Sequence, residues 1–263
     1  MTPLGGRLAP ISRLGQWSLE RLNRLKPYVR LIGKTGTALR DVSTYRPLLA
    51  QQAMEIGVRS LPLILYISIF TGMVLSLQAV RNFFQTIPAY FTGVTVAKTT
   101  LQEFSSVITA LVLAGRVGAS MAAELGSMRV TEQIDALESM GYDSVAYLVV
   151  PRVMGGFFML PVLTIFSALI SILAGWITAV MLSGMTSYEF FKGVKLMSSN
   201  ADFILPLVKS ALFGLAITLI ACKEGLGAGQ GARGVGTAAT QAAVVASVSI
   251  LTLDFVVGFF LLH

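Results

Sequence analysis

Charged side chains recur at every third position within one polar stretch of this chain, residues 115–143: Arg129, Glu132, Asp135 and Glu138. On a helix, the intervening apolar residues fall at i, i+4 and i+7 on a different side: Val130, Ile134 and Leu137. Gly126 and Ser127 suit the beginning of such a helix, and Gly141 suits its end. The pattern therefore predicts a short amphipathic helix over residues 127–140 that is offered to a soluble partner. The alternatives are a helix that lies on lipid headgroups or one that packs against its own chain.

Three ionisable residues lie inside otherwise apolar segments: Glu103, Lys209 and Asp254. Charges within a membrane are costly and usually have a function. Lys209 and Asp254 fall on adjacent predicted spans and could pair, either to fix helix packing or to couple transport. Glu103 is expected to face the exit of the first span, where it would either contact a polar headgroup or gate its passage. The alternative is a solvated glutamate at the interface.

The residues needed for common enzyme chemistry are missing from the sequence. His263 is its only histidine and Cys222 its only cysteine, so a Ser-His-Asp triad and a multi-cysteine metal site are excluded. The glycine-rich segment 225–236 lacks the Gly-Lys-Ser/Thr of a phosphate-binding loop and is interpreted as a flexible turn. We therefore expect no catalytic residues, metal or cofactor on this chain, and any ATP and Mg²⁺ to be bound by a separate ATPase.

Composition identifies an integral membrane protein. The 263 residues are 54% hydrophobic and 13% charged, with a mean hydropathy of +0.75, whereas soluble domains carry about 25% charged residues. The fold class is therefore all-α and polytopic, with about five transmembrane helices of roughly 20 residues. Residues 1–59 carry ten Lys or Arg but only three Asp or Glu, which predicts a cytoplasmic N-terminus.

The expected elements follow from hydropathy. The pattern of residues 12–45, with Trp17 and leucines opposite basic residues, predicts an interfacial helix, and the alternative is a disordered basic tail. The predicted spans are about 60–82, 91–123, 153–182, 203–222 and 237–262, and residues 183–202 form an external loop. The third segment is either one long helix, with bend points at Pro161 and Gly175, or a span plus an interfacial piece. Gly72 and Ser76 give the first span a face for close packing.

Three segments resemble the MlaE permease family, the membrane subunits of MCE-type ABC lipid transporters. The longest is residues 111–153, LVLAGRVGASMAAELGSMRVTEQIDALESMGYDSVAYLVVPRV. The others are GMVLSLQ at 72–78 and GARGVGTAATQAAVVASVSILTLDFVV at 231–257. The resemblance divides the chain into a basic N-terminal interfacial segment, residues 1–54, and a permease domain, residues 55–263.

The resemblance implies a homodimer of five-span subunits in a bacterial inner membrane, with a cytoplasmic ABC ATPase and a periplasmic MCE-domain protein as partners. The implied ATPase-coupling residues are Arg129, Glu132, Gln133, Asp135 and Glu138. The implied lipid-binding residues, in a cavity at the dimer axis, are Leu75, Asn82, Phe83, Thr86 and Glu103. The family's intramembrane charges map to Lys209 and Asp254.

The chain departs from the family at several positions. Gln102-Glu103-Phe104-Ser105-Ser106 stands where many members read Arg-Glu-Leu-Gly-Pro, so the acid is kept while the basic neighbour is lost. Gln241 replaces an arginine of some members, and Asn82 and Thr86 make the cavity mouth more polar.

The function expected from the sequence is that of the permease subunit of an ATP-driven phospholipid transporter. Two alternatives are transport of sterols or other hydrophobic molecules by the same machinery and a membrane scaffold that transports nothing.

Overall fold

The computed structural model describes residues 46–83, 88–196 and 200–262, together with Tyr28, Leu31, Gly33, Thr35 and Gly36. The described residues form helices and short connections, and five helical stretches are long and apolar enough to cross a membrane. The predicted all-α polytopic class is confirmed. Helices are expected in this setting because a bilayer interior provides no water to satisfy backbone N–H and C=O groups. Most of the expected interfacial helix, residues 12–45, lies outside the described residues.

The helical stretch that contains the first span begins earlier than the predicted span. Helix α1, Arg46–Ala53, continues through a π-helical turn, Met54–Val58, into α2, Leu61–Phe83. The helical stretch runs over Pro47–Asn82, and its strongly apolar part is α2, which agrees with a span beginning near residue 60. Glu55 and Arg59 form an exposed ion pair within this stretch, and they offset each other's charge where the chain enters the span.

The second span is longer than the predicted 91–123. It begins with α3, Tyr90–Thr99, and ends with α5, Ala119–Val130. Between them lie two π-helical segments, Thr100–Phe104 and Ala114–Gly118, which flank α4, Ser105–Leu113.

The predicted helix beginning at Gly126 and Ser127 is wrong, because both residues lie inside α5. The chain breaks instead at Thr131 and Glu132, and a separate helix α6 follows over Gln133–Ser139. The predicted end is right: Gly141, with φ +84°, lies just beyond α6.

The third span is one uninterrupted helix. A π-helical segment, Val145–Val149, leads into α7, Val150–Ser183, which passes through Pro161 and Gly175. Its 34 residues extend about 51 Å, well beyond a hydrocarbon core of about 30 Å. Part of the predicted external loop 183–202 is helical, because α8 forms over Ser187–Leu196.

The last two spans are α9, Asn200–Leu226, and α10, Gly231–Leu262. Only residues 227–230 connect them, so the interpretation of 225–236 as a flexible turn is wrong for most of that segment. Gly225 is buried in α9, where an added Cβ would lie 2.8 Å from the backbone oxygen of Ala122. This glycine therefore allows α9 and α5 to approach closely.

Helix α7 lies between α2 and α9 and holds them together. Ser68 donates a hydrogen bond to Ser167 at 2.8 Å, and Ser171 donates to the backbone oxygen of Ser68 at 2.9 Å. The predicted close-packing face of α2 is confirmed, because Gly72 and Ser76 both lie against α7 near Gly175. Small residues with hydroxyl hydrogen bonds are the usual means of helix association in lipid.

Replacing Gly72 with alanine is expected to destabilise the bundle. A Cβ atom at this position would overlap the backbone oxygen of Ser171, so the two helices would have to separate. Overpacking of this kind costs about 1–3 kcal/mol. Gly115→Ala is the matched control, since its Cβ would meet nothing within 4 Å. Thermal unfolding in detergent should show a lower Tm for Gly72→Ala alone, and equal Tm values would contradict the packing argument.

Candidate functional site

A buried lysine ties three spans together at the centre of the candidate site. The Lys209 side chain on α9 is fully buried, and its Nζ lies 2.9 Å from Oε2 of Glu103 and 2.9 Å from Oδ1 of Asp254. Glu103 belongs to the π-helical segment before α4, and Asp254 belongs to α10. The structure thus brings together all three ionisable residues that the sequence placed inside spans. One ammonium group faces two carboxylates, so the cluster has a formal charge of −1.

Glu103 has a different environment from the one expected. Both of its carboxylate oxygens accept hydrogen bonds from Lys209, at 3.0 and 2.9 Å, so it is turned toward α9. Its side chain nevertheless stays 40% exposed. Glu103 therefore belongs first to the ion cluster, and sequence reasoning missed its contact with Lys209.

Gln102 also contributes to the junction between these helices. Its Nε2 donates a hydrogen bond to Oδ1 of Asp202 at 2.7 Å, which joins the π-helical segment to the first turn of α9. Gln102 is thus an uncharged donor to the Asp202 carboxylate, at the position where the family resemblance implies an arginine. Pro206, inside α9, has no N–H to give to the Asp202 carbonyl, which weakens the helix locally three residues before Lys209.

An apolar cavity of about 540 Å³ lies beside this cluster, between α2 and α4. Leu75, one of the predicted lipid-binding residues, lines it, with Gln78 on the same helix. Asn82 is exposed one turn beyond Gln78 and so extends the same face. The lining also includes Phe104, the residue after Glu103, whereas Glu103 is not part of it. Other lining residues are Tyr66, Ile67, Phe70, Thr71, Val74 and Ile108.

Two predicted members of the lipid-binding set cannot be placed against this cavity. Thr86 lies outside the described residues, and the side chain of Phe83 lies outside them as well, although its backbone ends α2.

The predicted coupling residues lie at the α5–α6 junction, and their charged groups are exposed. Arg129 forms an ion pair with Asp135 across the break between the helices. Glu138 accepts a hydrogen bond from Ser144 at 2.6 Å. The backbone of Glu132 has φ 59°, which lies in the left-handed region that residues other than Gly and Asn rarely adopt. Its side chain has no partner among the described residues. Gln133 is also exposed.

The apolar side of the same junction packs against its own chain. Ile134 of α6 is buried in a core with Leu125 of α5, Val149 at the start of the third span and Cys222 of α9. Leu31, from the basic N-terminal segment, belongs to the same core. A displacement of α6 would therefore disturb the packing of residues in three spans and of Leu31.

Two further polar contacts surround this end of the bundle and were not anticipated from the sequence. Arg152 is buried and pairs with Glu124 at 2.9 Å. Tyr28 donates a hydrogen bond to Glu224 at 2.8 Å, and the Lys223 ammonium lies 4.8 Å from the centre of its ring. Burial, followed by the hydrogen bond to Glu224, raises the pKa of Tyr28 well above its ordinary value. Tyr28 is thus bound to the end of α9.

Comparison with known proteins identifies the family. Residues 49–260 match the family described as permease MlaE, which is most of the chain. The chain belongs to the MlaE permease family. A relative from Rickettsia bellii, named a probable ABC transporter permease protein, is 36% identical over 81% of this chain and 82% of its own length. Relatives with the same description from Synechocystis and the red alga Pyropia yezoensis are 36% and 32% identical, over 78% and 91% of both chains.

Membership in the MlaE family agrees with the architecture of the described residues. The chain is a multi-pass membrane protein whose five candidate spans all lie within or almost within the matched residues 49–260. The ion cluster and the apolar cavity also lie within the match. The family assignment identifies the chain as a permease, that is, a membrane subunit rather than an enzyme.

Proposed function

We propose that this chain is the permease subunit of an ATP-driven ABC transporter that moves phospholipid between a bacterial inner membrane and a periplasmic MCE-domain protein. The observation that carries the proposal is the 540 Å³ apolar cavity between α2 and α4, inside the membrane-spanning part of an MlaE-family chain. A cavity of this volume is in the range that holds small ligands, about 300–1,000 Å³.

The lining of the cavity suits an amphiphile. Leu75, Phe70 and Val74 offer hydrocarbon and aromatic surface to acyl chains. Burying apolar surface from water contributes about 25 cal/mol per Å², but a lipid that leaves another apolar phase gains far less. Selection between lipids must therefore come from polar contacts with the headgroup, and Gln78 and Asn82 supply these at one end of the cavity.

A second copy of the chain is proposed to complete the cavity. Helix α2 leaves Tyr66, Phe70 and Val74 exposed beside the opening, with 63%, 51% and 50% of their surface accessible. A two-fold homodimer would cover this side and convert an open groove into an enclosed lipid site at the dimer axis.

The energy source is proposed to be a separate cytoplasmic ABC ATPase, which binds ATP and Mg²⁺ and docks on the exposed side of α6. Glu132, Gln133 and Asp135 project there, while Ile134 joins the core that connects α6 to the spans. In the proposed orientation α6 and the N-terminal segment lie in the cytoplasm, and α8 lies on the periplasmic side, where the MCE-domain protein would bind.

A photo-crosslinking experiment tests the cargo and the cavity together. A benzoylphenylalanine at Leu75 is expected to capture phospholipid in the native membrane, because its side chain lines the cavity. Met181 is the matched control, since it is 81% exposed on α7 and does not line the cavity. Mass spectrometry of the adducts distinguishes phospholipid from sterols and other hydrophobic molecules. Equal capture at both positions would mean ordinary membrane contact, as a scaffold would show, and would overturn the proposal.

A further inference from the structure

A second, separate groove faces the bilayer on another side of the bundle. It has a volume of about 490 Å³ and lies between α7, α9 and the residues around the first π-helical segment of the second span. It shares no lining residue with the proposed transport cavity. The surface of the groove is almost wholly hydrocarbon, contributed by residues such as Leu101, Ala168, Leu173, Phe191 and Phe203.

The length of the groove corresponds to one leaflet of a membrane. On α7 its lining runs from Thr164 to Leu173, and the nine helical steps between these residues rise about 13.5 Å. Half of a hydrocarbon core of about 30 Å is nearly the same length. Thr164 and Ser105 lie at the deep end, whereas Phe191 and Phe203 lie at the end of the bundle that carries α8. The groove therefore has the dimensions of a single acyl chain that enters from that leaflet.

The mouth of the groove has a positive charge beside it. Lys195 follows Phe191 by four residues on α8, so the two side chains share one face of the helix. Lys195 is exposed in the last turn of α8. Lys192 lies on the neighbouring face, where its ammonium is 5.8 Å from the centre of the Tyr90 ring. A phosphate at the headgroup level would thus meet a basic side chain one helical turn from Phe191, a residue of the groove wall.

We propose that this groove is a binding site for one acyl chain of an anionic glycerophospholipid from the leaflet at the α8 end, with the lipid phosphate beside Lys195. The apolar walls and the length of the groove favour an acyl chain, and the positive charge of Lys195 favours an anionic headgroup. This site does not depend on the proposed transport function, because it lies outside the transport cavity and needs no partner. Its walls include Leu101, which precedes Gln102, and Leu207, which lies two residues before Lys209. A bound acyl chain would therefore contact the helices that hold the ion cluster.

Fluorescence quenching tests the site in the complete chain. Trp176 lies 5.4 Å from the Phe191 ring, measured between ring centres, and Trp17→Phe leaves it as the only tryptophan. In phosphatidylcholine vesicles, chain-brominated phosphatidylglycerol should quench Trp176 with half-saturation at about fivefold lower mole fraction than chain-brominated phosphatidylcholine. This ratio corresponds to about 1 kcal/mol per basic residue near an anionic headgroup.

Three variants make the result specific. Ala168→Phe fills the groove and should abolish the difference between the two lipids, whereas Val162→Phe, on the lipid-facing surface of α7 outside the groove, should preserve it. Lys195→Gln leaves the walls intact and should bring the two half-saturation values together. Equal values in the Trp17→Phe protein, or a lipid preference that survives both Ala168→Phe and Lys195→Gln, would overturn the proposal. Protection of Trp176 from both lipids would overturn it too, because a protein chain would then cover the groove.

Discussion

Replacing Lys209 with methionine is expected to destabilise the folded protein by about 3–5 kcal/mol, the usual cost of removing one partner from a buried ion pair. Methionine keeps the length of the side chain but leaves the carboxylates of Glu103 and Asp254 without a cation. Both carboxylates lie about 2.9 Å from the lysine nitrogen, so the change affects three spans at once. Denaturant unfolding in detergent should show the loss as a lower unfolding midpoint.

The charge count of the cluster predicts that its acids are less critical than its base. Asp254→Asn or Glu103→Gln leaves Lys209 paired with the remaining carboxylate, and the cluster becomes neutral. The exposed fractions of the two acids, 40% for Glu103 and 22% for Asp254, also give them access to polar groups that the buried lysine lacks. Each single change should therefore destabilise the protein clearly less than Lys209→Met does.

The triple variant Glu103→Gln, Lys209→Met, Asp254→Asn should recover much of the stability that Lys209→Met loses. Two results would contradict this account: an equal loss of stability in Lys209→Met and in the two single acid variants, or a loss in the triple variant that equals the sum of the three single losses.

The ion cluster illustrates which parts of a site a membrane sequence can reveal. Lys209 and Asp254 were expected to be possible partners because each is an isolated charge inside adjacent apolar segments, and the high energy of such charges makes pairing the simplest solution. The family resemblance implies that Glu103 lines the cavity, and the sequence does not reveal its contact with Lys209, because it gives the depth of a residue along a span but not its rotation about the helix axis. The π-helical segment Thr100–Phe104 holds an additional residue in its turn, which rotates the following residues by about 100° relative to a regular helix.

The boundaries of the polar junction were harder to predict for a similar reason. Gly126 and Ser127 have the local preferences of a helix start, but α5 continues through them because Leu125 and Gly126 are buried against the other helices. The real break is at Glu132, whose left-handed backbone is rare for a glutamate and has no sequence signature. Hydropathy predicted the five spans, since the cost of exposing the backbone to lipid makes long apolar runs helical. Side-chain packing, which decides where those helices begin and end, was not visible.

Glu132 offers a way to separate partner binding from folding at the same junction. Its backbone has φ 59°, and the left-handed conformation costs an L-residue roughly 1–2 kcal/mol, a cost that glycine does not have. Glu132→Gly removes both that cost and the carboxylate, so the purified chain should be as stable as the original or more stable. If the exposed carboxylate contacts a basic group on the proposed ATPase, the same variant should co-purify less ATPase and show weaker lipid-stimulated ATP hydrolysis.

A charge reversal at this position strengthens the test. Glu132→Lys keeps a long side chain in the same strained backbone and should reduce ATPase co-purification further, because like charges would then face each other. Glu55→Lys is the control: it reverses an exposed acid on the first span, away from α6, and replaces the surface pair with Arg59 by a like-charge pair. Exposed pairs of this kind contribute about 0–1 kcal/mol, so the control should retain both stability and partner. Full ATPase recovery with Glu132→Lys would mean that the partner docks elsewhere. A loss of stability in Glu132→Gly would mean instead that the left-handed glutamate is held by contacts within the chain, and the strain argument would fail.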